Sequence, residues 1–314
     1  MLILSDGKPG HLHQSIAFAR LLNCGYQVRQ VAFRNRLVKS LSYLFDRLGW
    51  RPAGLFEVDA QPPRARLVVS AGSGTYYANR VIAQQLGARS VALMWPAGYR
   101  ADFDLIIAQQ HDNPPQRDNL TELPVNLSFP VPIGLVPPGT NNSPCIAVIV
   151  GGPSKSFRIN PQRFEQQLKE IFRMFPDGDF LVTTSRRTPQ EIEAIIETFP
   201  FRYRLLYSRC QDNPLGDFIA QADFLFITED STSMVSEAVC WGKGSVEILP
   251  LEQISAGNKI SRMMDSLAGM GCLHRFDGSL GKQQRKIELD RALQAAVPQA
   301  WYVTAGKQGE GRAD

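Results

Sequence analysis

Short apolar runs alternate with stretches of helical periodicity from one end of this chain to the other, and that alternation most restricts its fold. Leu2–Leu4, Tyr26–Ala32, Leu67–Ser70, Ser90–Met94 and Leu105–Ala108 read as strands. His11–Leu22, Leu37–Leu48 and Tyr76–Leu86 read as the helices between them. Apolar strands separated by helices require a parallel sheet covered on both faces. Residues 130–144, rich in Pro, Gly and Asn, break the pattern. Neither a helix nor a central strand tolerates that composition, so the domain linker is expected there. The alternation then restarts. Strands are expected at Ile146–Val150, Phe180–Thr184, Arg204–Tyr207, Phe224–Thr228 and Ser245–Leu249. Helices are expected at Pro161–Phe175, Pro189–Phe199, Ser231–Trp241, Gly257–Gly269 and Gln284–Ala296. With 314 residues the chain has room for two such domains, 1–135 and 136–304, with a disordered tail at 305–314.

Charge and cysteine usage remove several function classes. A net charge of +4 and a pI near 8.8 describe an ordinary soluble surface, and no nucleic-acid partner is expected. Cys24, Cys145, Cys210, Cys240 and Cys272 are scattered and odd in number, without a C-x-x-C pair. This argues against a disulfide framework or zinc site and fits a reducing compartment. The N-terminus lacks the basic start and long apolar run of a signal peptide, and nothing is apolar for long enough to span a bilayer. A cytoplasmic location is expected.

In open α/β sheets ligands bind beyond the carboxyl ends of strands, so the loops there hold the chemistry. The first, Ser5–Ser15, contains Asp6, Gly7, Lys8, Gly10, His11 and His13. Its glycines permit close backbone approach, and the amides of the helix start attract anions. His11 or Asp6 is suited to act as general base on an acceptor hydroxyl; the simpler reading is a tight turn with a helix cap. The second loop, Gly72-Ser73-Gly74-Thr75, is neither a dinucleotide fingerprint nor a Walker loop, but suits an acceptor or phosphate contact. The third, Gly151-Gly152-Pro153-Ser154-Lys155, offers amides and a lysine to a diphosphate. The fourth, Ser185-Arg186-Arg187-Thr188-Pro189, pairs arginines suited to phosphate with a Thr188 cap. In the fifth, Glu229-Asp230-Ser231-Thr232-Ser233 opens a helix that includes Glu237. One polar residue suffices for an N-cap, and Glu237, one turn in, can bond a ribose diol.

Asp102-Phe103-Asp104 has the D-x-D spacing of metal-dependent sugar transferases, but it directly precedes a strand, where solvated edge carboxylates are expected; no metal site is assigned. Between Arg34 and Arg51, five basic residues and one acid, Asp46, surround a stripe of Leu37, Leu41, Leu44, Phe45 and Leu48. Such a stripe is expected to face the core; the alternative is an anionic bilayer surface, where a lipid-linked acceptor would lie.

The loops Gly7–His11 and Glu229–Glu237 resemble those of GT-B glycosyltransferases, such as the enzyme that adds N-acetylglucosamine to lipid-linked muramyl peptide. The resemblance implies a GT-B-like α/β fold, two Rossmann-like βαβ domains whose parallel sheets face each other across a cleft. It puts His11 on the acceptor-side histidine and Glu237 on the ribose-binding glutamate. Ser5–His11, Gly151–Ser154, Ser185–Pro189 and Glu229–Ala238 together resemble bacterial relatives of the plant mitochondrial-fission protein of the Elm type, often described as predicted sugar-nucleotide enzymes.

The expected function is an inverting, metal-independent and cofactor-free transfer from a nucleotide sugar to a cell-envelope lipid or saccharide at the inner membrane surface. Donor contacts would come from Gly151, Gly152, Ser154, Lys155, Ser185, Arg186, Arg187, Glu229, Asp230, Ser231, Ser233 and Glu237. Acceptor contacts would come from Lys8, Gly10, His13, Gly72, Ser73, Gly74 and Thr75, with His11 and Asp6 catalytic. A cofactor-free nucleotide-sugar epimerase and a non-enzymatic, membrane-associated adaptor are the alternatives. A nicotinamide-dependent epimerase is set aside, because no tyrosine precedes a lysine by four residues.

Overall fold

The structure, a computed structural model, describes residues 1–139, 143–255, 257–282 and 284–302; the tail expected at 305–314 lies outside them. The chain divides into two compact units, Met1–Leu123 with Glu288 onward, and Pro124–Ile287.

Unit 1 has a seven-stranded sheet in the order β3-β2-β1-β4-β5-β6-β7. The strands are β1 (Leu2–Ser5), β2 (Gln27–Phe33), β3 (Phe56–Val58), β4 (Leu67–Ala71), β5 (Arg89–Leu93), β6 (Leu105–Gln109) and β7 (Leu120–Leu123). All pairings are parallel except β2 with β3. Helices α1 (Pro9–Leu21), α2 (Arg36–Arg47) and α3 (Tyr76–Leu86) follow β1, β2 and β4. Pro9 opens α1, where its missing N–H costs nothing, and Gly87 ends α3 in the left-handed conformation at φ +61°. Leu2, Leu4, Val68 and Ile82 form one buried cluster, and Tyr76, Tyr77, Phe103 and Ile106 another.

Unit 2 has an all-parallel sheet in the order β11-β10-β8-β12-β13-β15, with β9 and β14 paired antiparallel beside it. The strands are β8 (Cys145–Val150), β9 (Phe157–Arg158), β10 (Asp179–Thr184), β11 (Tyr203–Leu205), β12 (Phe224–Thr228), β13 (Ser245–Leu249), β14 (Glu252–Gln253) and β15 (His274–Arg275). The helices are α4 (Pro161–Met174), α5 (Gln190–Glu197), α6 (Leu215–Gln221), α7 (Thr232–Cys240) and α8 (Lys259–Gly269). Phe164, Leu168 and Ile171 of α4 and Ile192 and Ile196 of α5 bury the stripes read from the sequence against Val148 and Val182. The final helix, α9 (Leu289–Ala296), returns to unit 1 and packs on α1.

The proline-rich stretch therefore does not divide the units; the division falls after Leu123. Residues 124–139 belong to unit 2, and α6 pins them there. Asp217 of α6 is buried and accepts from the amides of Ile133, Gly134 and Leu135 at 3.1, 2.9 and 3.1 Å. Residues 284–288 are not helical. Gln284 bonds both backbone groups of Val246, and the Ile287 amide bonds Val239, so residues 284–287 are held on unit 2 by bonds other than those of a helix.

Helix α2 turns four of the five stripe residues away from the core, and of the stripe only Phe45 packs on it. Leu37, Leu41, Leu44 and Leu48 are exposed, while Ser42 and Asp46 are buried. The polar face is held inward by specific bonds. Ser42 Oγ lies 2.9 Å from the Tyr99 hydroxyl, and Asp46 accepts from Arg51 Nε and the Arg100 amide, both at 2.6 Å.

In each sheet the order reverses direction about one central strand. In unit 1 successive connections leave β1 toward β2 on one side and β4 on the other; in unit 2, β8 has β10 and β12 as neighbours. Such switch points open a crevice at the carboxyl ends of the two diverging strands.

Candidate functional site

The unit 1 switch point lies between the loops after β1 and β4. The chain turns at Asp6-Gly7, with Gly7 at φ +78°, and enters α1, which places His11 in the first helical turn. His11 Nδ1 lies 3.0 and 3.1 Å from the two oxygens of Asp6. Asp6 is nearly buried (9%) and His11 partly so (20%). Asp6 also accepts from the Lys8 amide at 3.3 Å and lies 3.5 Å from the Lys8 ammonium. With the Nδ1 proton donated to Asp6, the imidazole keeps its Nε2 lone pair, the arrangement of a base held by a carboxylate. The β4 loop explains its own glycines. A Cβ on Gly72, at φ +85°, would run into the His11 ring, and one on Gly74 would lie 2.7 Å from Asp6 Cβ. Thr75 is buried with its hydroxyl on the Ala71 and Gly72 carbonyls, so its contribution is to shape the turn. Ser73 Oγ accepts from Lys39 of α2 at 3.1 Å. Gly10 and His13 are exposed on the first two turns of α1.

At the unit 2 switch point the loops after β8, β10 and β12 are tied together by a polar knot. The buried Asp230 accepts from the Gly152 amide at 3.0 Å, the Thr228 hydroxyl at 2.7 Å and Arg187 Nη2 at 2.6 Å. Thr228 in turn accepts from the Gly151 amide at 2.7 Å, and Arg187 Nη1 donates to the Gly152 carbonyl at 3.0 Å. A Cβ on Gly151 would strike the Asp230 carboxylate, and one on Gly152 the Arg187 carbonyl. Both glycines are thus required by the packing of three loops on one another. Their amides are already donated within the knot, unlike the phosphate cradle the sequence implies. Glu229 is likewise committed, paired with Arg275, which also reaches Asp265. Ser154 closes its own turn by accepting from the Ser156 and Phe157 amides, and Ser185 bonds Thr188 and the Arg187 amide.

What faces outward around the knot is a different subset. Lys155 and Arg186 are exposed. Ser231 caps α7 by accepting from the Met234 amide at 3.4 Å, leaving the first-turn amides of Thr232 and Ser233 without intrahelical acceptors. Ser233 is exposed, and Glu237, four residues on, shares its face of α7. Glu237 is part-buried, and burial pushes its carboxyl up to about 7. Asn126, which no local pattern marks, steadies α7 by bonding Thr232 Oγ1 and Ser236 Oγ, both at 3.0 Å. Lys39 and Arg275 also escaped the sequence reading, because their partners are distant in the chain.

Asp102 and Asp104 are bound by arginines. Asp102 pairs with Arg51 and Arg80, and Asp104 with Arg89 and the Ser90 amide and hydroxyl. Among the described residues, no three His, Cys, Asp or Glu side chains are grouped to hold a metal ion, and no helix is long and apolar enough to cross a membrane. All five cysteines are free.

The model of the family described as "Mitochondrial fission ELM1" matches residues 9–300. The chain belongs to that family. An uncharacterized protein of Rickettsia prowazekii (strain Madrid E) is 36% identical over 106 residues, 31% of this family member and 29% of that protein, so the match spans under a third of the relative's length. Among solved structures, a candidate UDP-N-acetylglucosamine 2-epimerase from Listeria monocytogenes is similar at a TM-score of 0.51 and 10% identity, over 93% of this chain and 85% of that one. MurG of Acinetobacter baumannii (TM-score 0.44, 13% identity, 94% and 88% covered) and the glycosyltransferase SnogD of Streptomyces nogalater (0.46, 15%, 94% and 92%) are also similar. This ELM1-family chain has the GT-B-like fold, with a Rossmann-like parallel sheet in each unit.

Proposed function

We propose that this protein transfers a sugar from a nucleotide-activated donor to a cell-envelope lipid or saccharide, without a metal ion or cofactor. The observation that supports it is the pair of switch points. Each unit carries polar groups on the loops at its switch point, a carboxylate-held imidazole in one and a helix N-terminus with a part-buried carboxyl in the other. The donor is assigned to unit 2. Its diphosphate would rest on the first-turn amides of α7 with Lys155 and Arg186, and its ribose diol would bond Glu237. The acceptor is assigned to unit 1. Nε2 of His11 would take the acceptor hydroxyl's proton as oxygen bonds to the anomeric carbon and the bond to the diphosphate breaks. The leaving diphosphate carries the developing charge, which the α7 amides and the two cations stabilise.

Calorimetric titration with UDP, GDP, ADP and CMP tests the donor assignment, with Glu237→Ala as control. One nucleotide is expected to bind and to raise the melting temperature, and Glu237→Ala to abolish both effects. If none binds, the donor site is not where we assign it. Acceptor-free turnover of the nucleotide sugar would instead favour epimerisation.

The same glutamate makes binding pH-dependent. Ribose hydroxyls donate to the ionised carboxylate, so nucleotide binding lowers its pKa from about 7 and releases a proton. Affinity is expected to climb up to ~10-fold per pH unit below about 7 and to level off above it. Glu237→Gln should flatten that profile. The sign for stability is opposite. A raised carboxyl pKa binds extra protons in the folded state, so its contribution is lost as pH rises from 4.5 through about 7.

A further inference from the structure

We propose that α2 docks this protein on the surface of an anionic phospholipid bilayer. The reading does not depend on sugar transfer, since a docking helix would serve an adaptor equally. Leu37, Leu41, Leu44 and Leu48 recur at four-, three- and four-residue steps, which places them in one line along the helix. They are 77%, 43%, 51% and 69% exposed, and Trp50, just past the helix end, is 62% exposed. Trp50 packs edge-on against Phe45, with ring centroids 5.0 Å apart, which holds the indole at the end of the stripe. The opposite face leaves no freedom to rotate the leucines inward, because Ser42 and Asp46 are bonded to Tyr99, Arg51 and the Arg100 amide.

Charge selects the occupant. Arg36 and Arg47 are exposed and lie together on one flank of the leucine line, since eleven residues make close to three turns. Arg34, paired with Glu57, and Arg100, beside Asp102, are exposed at the two ends; a guanidinium nitrogen of Arg100 lies 3.1 Å from where a Cβ on Gly49 would be. The single acid of α2, Asp46, is buried and neutralised by Arg51. An apolar line with an indole at its end, flanked by arginines on a helix that exposes no acid, matches the interface of an anionic bilayer: leucines enter the acyl boundary, Trp50 sits at headgroup level and arginines meet phosphates. The docked helix also touches the candidate acceptor loop. Lys39 donates to Ser73 Oγ at 3.1 Å, and Tyr99 donates to the Ser73 carbonyl at 3.3 Å. A membrane bound at α2 thus lies one side chain from the loop that packs against His11.

Vesicle flotation tests the proposal, using phosphatidylcholine vesicles with and without phosphatidylglycerol. The wild-type protein is expected to float with the phosphatidylglycerol vesicles and to detach as salt is raised. Leu41→Glu with Leu44→Glu should weaken partitioning at least ~10-fold, the scale of withdrawing two leucine side chains from an apolar phase. Arg36→Glu with Arg47→Glu should remove the preference for phosphatidylglycerol. These side chains are exposed, so unchanged melting curves will show that both variants fold. The proposal is overturned if the wild-type protein floats with neither vesicle, or if the leucine variant floats as well as wild type. It is also overturned if sedimentation without lipid shows a dimer that the leucine substitutions dissociate, which would give the face to a second copy.

Discussion

Asp230→Ala should lower the stability of unit 2 by about 3 kcal/mol, at the low end for breaking a buried ion pair, because the Arg187 side chain is 38% exposed while Asp230 is fully buried. The loss is not of one bond. The carboxylate accepts from Gly152, Thr228 and Arg187, so its removal strands a buried amide and hydroxyl and leaves Arg187 Nη2 without its acceptor, Nη1 alone staying on the Gly152 carbonyl. The methyl left behind fills none of the space. Because these bonds set the relative positions of the loops after β8, β10 and β12, nucleotide binding should fall with stability, although no ligand contact is assigned to Asp230. Asp230→Asn, which keeps one acceptor oxygen, should destabilise less. Thermal unfolding followed by circular dichroism decides it. A melting temperature equal to wild type would mean that the three loops hold their geometry without the knot.

His11→Ala should lower the rate of sugar transfer ~10²–10⁴-fold, the usual contribution of a positioned general base. Nucleotide affinity should not change, since the donor is assigned to unit 2. Asp6→Asn should lower the rate less, through loss of the held tautomer. The sharper test is Gly72→Ala. Its φ of +85° is strained for alanine, and its Cβ occupies the place of the imidazole. The variant should therefore lose the rate as His11→Ala does, with histidine still in the chain. Combining the two substitutions should restore part of the stability lost in Gly72→Ala, because the ring it collides with is gone. Transfer of labelled sugar into a membrane extract and melting curves read both effects. A Gly72→Ala enzyme with full rate would remove His11 from the reaction.

The fold was largely legible because strand and helix periodicities are local and the buried stripes of α4 and α5 are strong. What escaped depended on distance. Periodicity shows that α2 has an apolar line but not which side the core lies on; that was settled by Tyr99 and Arg100, more than fifty residues away. Glu229 and Asp230 read as ligand contacts since their partners, Arg275 and Arg187, are 46 and 43 residues distant. The glycines after β8 read as a diphosphate cradle, but what approaches them closely is Asp230 and Arg187. The prolines of 130–144 looked like a linker because α6, whose Asp217 holds that stretch, is only seven residues long and begins beside Pro214 and Gly216.

The return of α9 to unit 1 has a consequence for biogenesis. Leu289 and Leu293 are buried, and Val297 with them, while Trp301 stacks under the Arg89 guanidinium at 5.4 Å. Unit 2 is continuous in the chain, but unit 1 is not. On the ribosome, unit 1 must wait with the outer face of α1 uncovered until all of unit 2 has been translated, while unit 2 can complete itself first. The apolar surface of α1 is therefore where a chaperone would be needed longest, and a stop codon anywhere in unit 2 would leave the earlier unit, rather than the truncated one alone, unfinished.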